Sequence, residues 1–180
     1  MSQALIVIDV QNDFCSGGAL AVSEGNQIVP LINAMMPDFD AVILTQDWHP
    51  ADHCSFAANH PGKPLFSLQQ IPTGPDGSGQ TMEQVMWPTH CVQGTWGAEF
   101  APGLTVQDTD LVQPKGTDCN VDSYSGFFDN CQNADTGLQN RLRALGVNAV
   151  FCAGVAYDYC VGSTAADAAK CAFYSYTRPS

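Results

Sequence analysis

Basic side chains are scarce. Six Lys and Arg stand against eighteen Asp and Glu, a formal net charge of −12. Lys63, Lys115, Arg141, Arg143, Lys170 and Arg178 are scattered, so they cannot assemble a patch that tracks phosphates. This argues against nucleic acid as a partner, and equally against an anionic membrane surface. No apolar run is long enough to span a bilayer. The short run from Ala4 to Ile8 lacks a preceding basic segment, which argues against a secretory signal. No Cys-x-x-Cys pair occurs, so a zinc finger or thioredoxin-type site is not supported. The eight cysteines, at 15, 54, 91, 119, 131, 152, 160 and 171, are therefore expected as reduced thiols in a cytoplasmic protein. Repeats and internal linkers are also missing. With 45% hydrophobic and 13% charged residues, the chain reads as one globular domain, 1–180, long enough for a real core.

What is present is an alternation of strands and helices. Ala4 to Val10 is a β-branched run, expected as a strand buried on both faces and ending at Asp9. Ile28, Leu31, Ile32 and Met35 recur at helical spacing and predict a helix over about 27–36, with Pro30 near its start. Residues 41–45 read as a second strand ending toward Asp47, and Leu111-Val112 as a short third ending toward Lys115. Thr136 is expected to cap a helix carrying Leu138, Leu142 and Leu145, with Gly146 past its end. Residues 149–153 form a fourth strand. Asp158 is expected to cap the next helix, and 172–177 give a fifth strand. Residues 48–107 show little periodicity and are expected as a long irregular region of the functional kind. The pattern predicts an α/β fold: a doubly wound, mostly parallel sheet with flanking helices.

Open sheets of this class bind ligands beyond the carboxyl ends of their strands. Asp9, Asp47, Lys115 and Cys160 all fall at or just after such ends. Cys160, expected in a first helical turn, is placed where the helix N-terminus and Lys115 favour a thiolate. Asp9 is suited to take and return a proton. Backbone N–H groups of Ala156 and Cys160 are suited to hold an oxyanion. The bland alternatives stay open at this point: Cys160 as a buried small hydrophobe, and Asp9 with Lys115 as a structural ion pair. Asp47 and His49, two apart, point to one side of an extended chain. With His90 they make a carboxylate and two imidazoles suited to a divalent ion. His53 can be a fourth ligand or a supporting group, and His60 an ordinary surface or hydrogen-bonding histidine. Phe14 and Trp87 read as core aromatics or as walls of an aromatic-ligand pocket, core being the first reading.

The motifs are also familiar in their order. IDVQNDF at 8–14, GGAL at 17–20, TQDWHP at 45–50, WPTHCVQGT at 87–95, KG at 115–116, DSYSGF at 122–127 and GVAYDYCV at 154–161 together resemble the nicotinamidases of the isochorismatase-like hydrolase family. The resemblance covers nearly the whole chain. It implies hydrolysis of nicotinamide, and of the look-alike pyrazinamide, to the acid and ammonia through a cysteine thioester, a step in NAD salvage. It implies Asp9, Lys115 and Cys160 as a catalytic triad. It implies Asp47, His49 and His90 as ligands of one divalent metal ion (Zn, Fe or Mn) that holds the pyridine nitrogen. Phe14 and Trp87 become ring contacts, and Val155–Ala156 is expected as a cis peptide. A homo-oligomer is compatible with the family. Tyr157 departs from the usual small or hydroxylic residue. Family members continue for a further strand and helix, so the ending Arg178-Pro179-Ser180 implies a missing C-terminal strand and helix and an exposed sheet edge. Two other readings stay open: a hydrolase of another small amide in the same superfamily, and a shortened chain that binds metal without catalysis.

Overall fold

The computed structural model describes residues 2–72 and 81–177, so the ending Arg178-Pro179-Ser180 lies outside the described residues. Side chains alternate along β1 (Ser2–Ile8). Ala4, Ile6 and Ile8 face one side, Leu5 and Val7 the other, and both sets are buried. A strand buried on both faces needs a cover on each. On one face α1 (Ile28–Met35) brings Val29 and Ile32 against Leu5 and Val7. On the other, α2 (Leu138–Ala144) and α3 (Gly162–Lys170) bring Leu138, Leu142 and Ala168 against Ile6 and Ile8. Pro30 sits in the first turn of α1, where its missing N–H costs nothing. Leu138 N donates to Thr136 Oγ1 at 3.3 Å, while Gly137, at φ 82°, holds the cap position itself. Gly146 follows α2 at φ 72°.

The remaining strands are β2 (Ala41–Asp47), β3 (Leu68–Pro72), β4 (Thr81–Val85), β5 (Leu111–Lys115), β6 (Val147–Gly154) and β7 (Tyr174–Thr177). Five of them form one parallel sheet in the order β5-β2-β1-β6-β7. This is the doubly wound sheet the sequence predicts. The chain moves outward from β1 through β2 to β5, then crosses to the other side of β1. The switch point therefore lies between β1 and β6, where crevices form. β5 runs further than the expected Leu111-Val112, reaching Lys115, whose register partner is Asp47. The expectation of an irregular 48–107 is corrected in one place: β3 and β4 form an antiparallel hairpin. Their sequences, LQQIP and TMEQV, show no apolar alternation, and only Ile71 and Gln84 of them are buried.

Gly154, last residue of β6, pairs with Ile8 across the switch point. A Cβ there would collide with the carbonyl of Ile8, which is backbone and cannot step aside. Gly154→Ala is expected to cost about 3 kcal/mol or more. For a chain of this size that lowers Tm by roughly 6–12 °C. A thermal melt monitored by circular dichroism checks it; an unchanged Tm would show that the two strands separate freely at this end.

Candidate active site

The ends of β1, β2 and β5 converge on one buried cation. Lys115 Nζ lies 2.5 Å from Asp47 Oδ1, 2.9 Å from Asp9 Oδ2, 3.0 Å from the Ser123 carbonyl and 3.5 Å from Cys160 Sγ. Asp9 leaves the strand at φ 53°, a left-handed conformation that Asp tolerates better than most residues. Thr45 fixes it there, donating from Oγ1 to Asp9 Oδ1 at 2.7 Å and accepting from Asp9 N at 3.1 Å. Gln11 holds Asp47. Its side-chain amide donates to the Asp47 carbonyl at 2.9 Å and its oxygen accepts from Asp47 N at 2.8 Å. The other amide hydrogen goes to the Ala98 carbonyl at 2.8 Å.

Burial and pairing set the charges. Burial pushes the Asp47 carboxyl up, but Lys115 and His49 outweigh it and hold the group well below the usual carboxylate range. Burial pulls Lys115 down, yet the two carboxylates hold it well above its ordinary value, so it stays cationic. Asp9 is raised: burial exceeds the attraction of Lys115, and the charge of Asp47 adds to it. Such a carboxyl suits proton exchange. Burial also pushes the Cys160 thiol well above its ordinary range, against the pull of Lys115. This runs against the expected thiolate; an Asp9 carboxylate oxygen lies within 4.8 Å of the sulfur.

Two further expectations about this corner change. The Val155–Ala156 peptide is trans, since no cis bond occurs among the described residues. The chain instead turns through Ala156 itself, at φ 57° and ψ 61°. Asp158 does not cap a helix. Residues 157–161 form a wide π-type turn in which Asp158 is an interior position, and α3 begins only at Gly162. Cys160 thus sits in the turn that precedes α3, 5% exposed and facing the ends of β1 and β5.

Beside this group stand Asp47, His49 and His90, each with a ligand atom within 4.8 Å of the others. His49 Nδ1–H donates to the Gly116 carbonyl at 2.8 Å, and His90 Nδ1–H to the Pro88 carbonyl at 2.7 Å. A carbonyl only accepts, so both rings carry the proton on Nδ1 and present an Nε2 lone pair. This is the tautomer and the outer support that a metal-binding histidine needs. Gly116, at φ 62°, is required here, because a Cβ would fall on the His49 ring. Asp13 steadies the other side, accepting from Cys91 N at 2.7 Å and from Ala19 N at 3.0 Å. One carboxylate and two such imidazoles fit a divalent ion of the Zn, Fe or Mn type. His53 is fully buried 4.2 Å, centroid to centroid, from His49; its Nδ1 meets Ser55 and its Nε2 has no protein partner. His60 is of the hydrogen-bonding kind, its Nε2 bonding the Cys54 carbonyl at 2.7 Å.

Both clusters open into one cavity of about 590 Å³. Phe14 and Trp87 line it, as the resemblance implies. Phe14 meets His90 edge-on at 5.5 Å. Tyr124, Tyr159 and Asp122 are among the lining residues that carried no expectation. Tyr124 accepts from Trp87 Nε1 at 3.1 Å, Tyr159 meets Trp87 edge-on at 4.9 Å, and Asp122 accepts from Gln84 at 3.0 Å. Tyr124 and Asp122 stand inside the DSYSGF motif, the one signal that could have found them. All eight cysteines are free thiols. No helix among the described residues is long and apolar enough to cross a membrane.

A profile of the isochorismatase domain matches residues 3–176. The nicotinamidase of Acinetobacter baylyi is 47% identical over 173 residues, which cover 96% of this chain and 77% of that protein. The yeast nicotinamidase solved with the inhibitor nicotinaldehyde superposes with a TM-score of 0.91 at 33% identity, over 98% of this chain and 88% of that one. A Pyrococcus horikoshii pyrazinamidase solved with zinc gives 0.77 at 36% identity, over 98% and 83%.

Proposed function

We propose that this chain, which belongs to the isochorismatase family, is a metal-dependent nicotinamidase that converts nicotinamide and water into nicotinate and ammonia. One observation carries the reading: a buried thiol, a carboxyl of raised pKa and a lysine meet beside a carboxylate–bis-imidazole cluster, in one aromatic-walled cavity. Asp47, His49 and His90 would hold the ion. When bound, it would supply a Lewis-acid anchor for the pyridine nitrogen. Phe14 and Trp87 would flank the ring and exclude water.

The chain's own groups account for the chemistry. As Cys160 Sγ attacks the amide carbon, its proton passes to Asp9, and Lys115 stabilises the negative charge appearing on sulfur. The carbonyl electron pair moves to oxygen, where the N–H groups of Ala156 and Cys160 would receive it. Asp9 then protonates the nitrogen as the C–N bond breaks, releasing ammonia and leaving a thioester on Cys160. Water attacks this thioester, giving its proton to Asp9. The C–S bond breaks, nicotinate leaves and Asp9 returns the proton to sulfur.

Purified protein loaded with zinc is expected to release ammonia from nicotinamide and, at a comparable rate, from pyrazinamide. Exhaustive chelation is expected to lower the rate at least about a hundredfold through lost positioning, with recovery on adding the ion back. A rate indifferent to the chelator would remove the metal from the reaction, and silence toward both amides would remove the activity.

A further inference from the structure

We propose that the site also hydrolyses larger aromatic amides, namely nicotinamides carrying an uncharged apolar group at ring carbon 5, held in an outer chamber formed by residues 20–31. The inference rests on the nicotinamidase reading above.

It starts from size. Nicotinamide's nine non-hydrogen atoms, at about 30 Å³ each, the liquid share of a water molecule, fill at most about 270 Å³. The cavity holds about 590 Å³, so more than half of it lies beyond the ring. The geometry of the ring says which position leaves both anchors free. If the ring nitrogen is held at Asp47, His49 and His90 and the amide at Cys160, ring carbon 2 lies between the two anchors. Carbon 5 is diametrically opposite, and a group on it points away from both clusters.

One wall of the cavity is built for an apolar group. Leu20, Val22, Ile28 and Leu31 line it. The first three pack against Phe14 and Val155, so outer chamber and ring wall share one small core. The wall is also fixed in place: Leu20 N donates to the Asp13 carbonyl at 2.9 Å and Val22 N to the Phe14 carbonyl at 3.0 Å. A preformed apolar surface of this kind favours an apolar substituent over water. The charged side chains of this part are acidic, Glu24 and Asp158, and none that line it is basic. An anionic substituent is disfavoured there.

The test compares ammonia release from nicotinamide, 5-phenylnicotinamide and 5-carboxynicotinamide by the zinc-loaded protein. The expected kcat/KM for the phenyl compound lies within about tenfold of that for nicotinamide, and the carboxy compound falls at least about tenfold below the phenyl one. A phenyl compound poorer than nicotinamide by more than that overturns the outer chamber. Parity of the carboxy and phenyl compounds overturns its apolar character. Leu31→Trp, on the exposed side of α1 at the chamber's mouth, adds a second arm. It should lower kcat/KM for the phenyl compound at least about tenfold and leave nicotinamide within about twofold; equal effects on both overturn the proposal. If nicotinamide itself yields no ammonia, the underlying activity has failed, and that outcome is distinct from a failure of the chamber.

Discussion

Cys160→Ala is expected to lower ammonia release from nicotinamide by at least about 10⁴-fold while leaving the fold intact. The amide is a poor electrophile with a poor leaving group, and among the described cavity-lining residues Cys160 is the only thiol. Nothing else at that place can form the covalent intermediate. The alanine side chain differs from cysteine by one buried sulfur, so the stability cost is about 1 kcal/mol. Ring binding depends on other residues and should survive, measured by calorimetric titration with nicotinamide. Steady-state ammonia assays decide the matter: a variant within tenfold of the parent would end the covalent mechanism.

Lys115→Met is expected to remove activity and to strain the fold as well. The Lys115 side chain is fully buried and serves two carboxylates at once. Methionine fills similar space but brings no charge, leaving Asp9 and Asp47 facing one another without a cation. Breaking a buried ion pair from one side costs about 3–5 kcal/mol, which corresponds to roughly 6–20 °C in Tm for this size. The melt checks this. A variant that melts with the parent would mean that the carboxylates share a proton rather than depend on Lys115.

The strands of the main sheet, its parallel character and the residues at their carboxyl ends were legible because a strand buried on both faces writes itself as an unbroken apolar run. Ala4 to Ile8 and Ala149 to Ala153 are of this kind. The β3–β4 hairpin was not legible, because its stability comes from elsewhere: Gln84 reaches Asp122 and Tyr124, far along the chain. The turn before Cys160 was misread for a local reason. Asp158 has the chemistry of a helix cap, but Ala156 takes the left-handed turn two residues earlier, so Asp158 falls inside the winding. Spacing points to Asp47 and His49 as ligands, whereas the support from Gln11 and Asp13 has no spacing signal of its own. A hydrogen bond from a side chain to distant backbone leaves no periodic trace.

The Gln11 amide has a mechanical consequence. By exchanging two hydrogen bonds with the backbone of Asp47 it copies the pattern of a ladder rung, beyond the last paired residues of β1 and β2, Val7 and Leu44. The floor of the pocket is in effect one more rung of the sheet. Asp47 is therefore held as part of the sheet, and the connection that begins at Trp48 starts from a fixed point, with Trp48 N donating to the Lys115 carbonyl at 3.0 Å. A carboxylate aimed by strand geometry keeps its direction whatever guest fills the rest of the pocket.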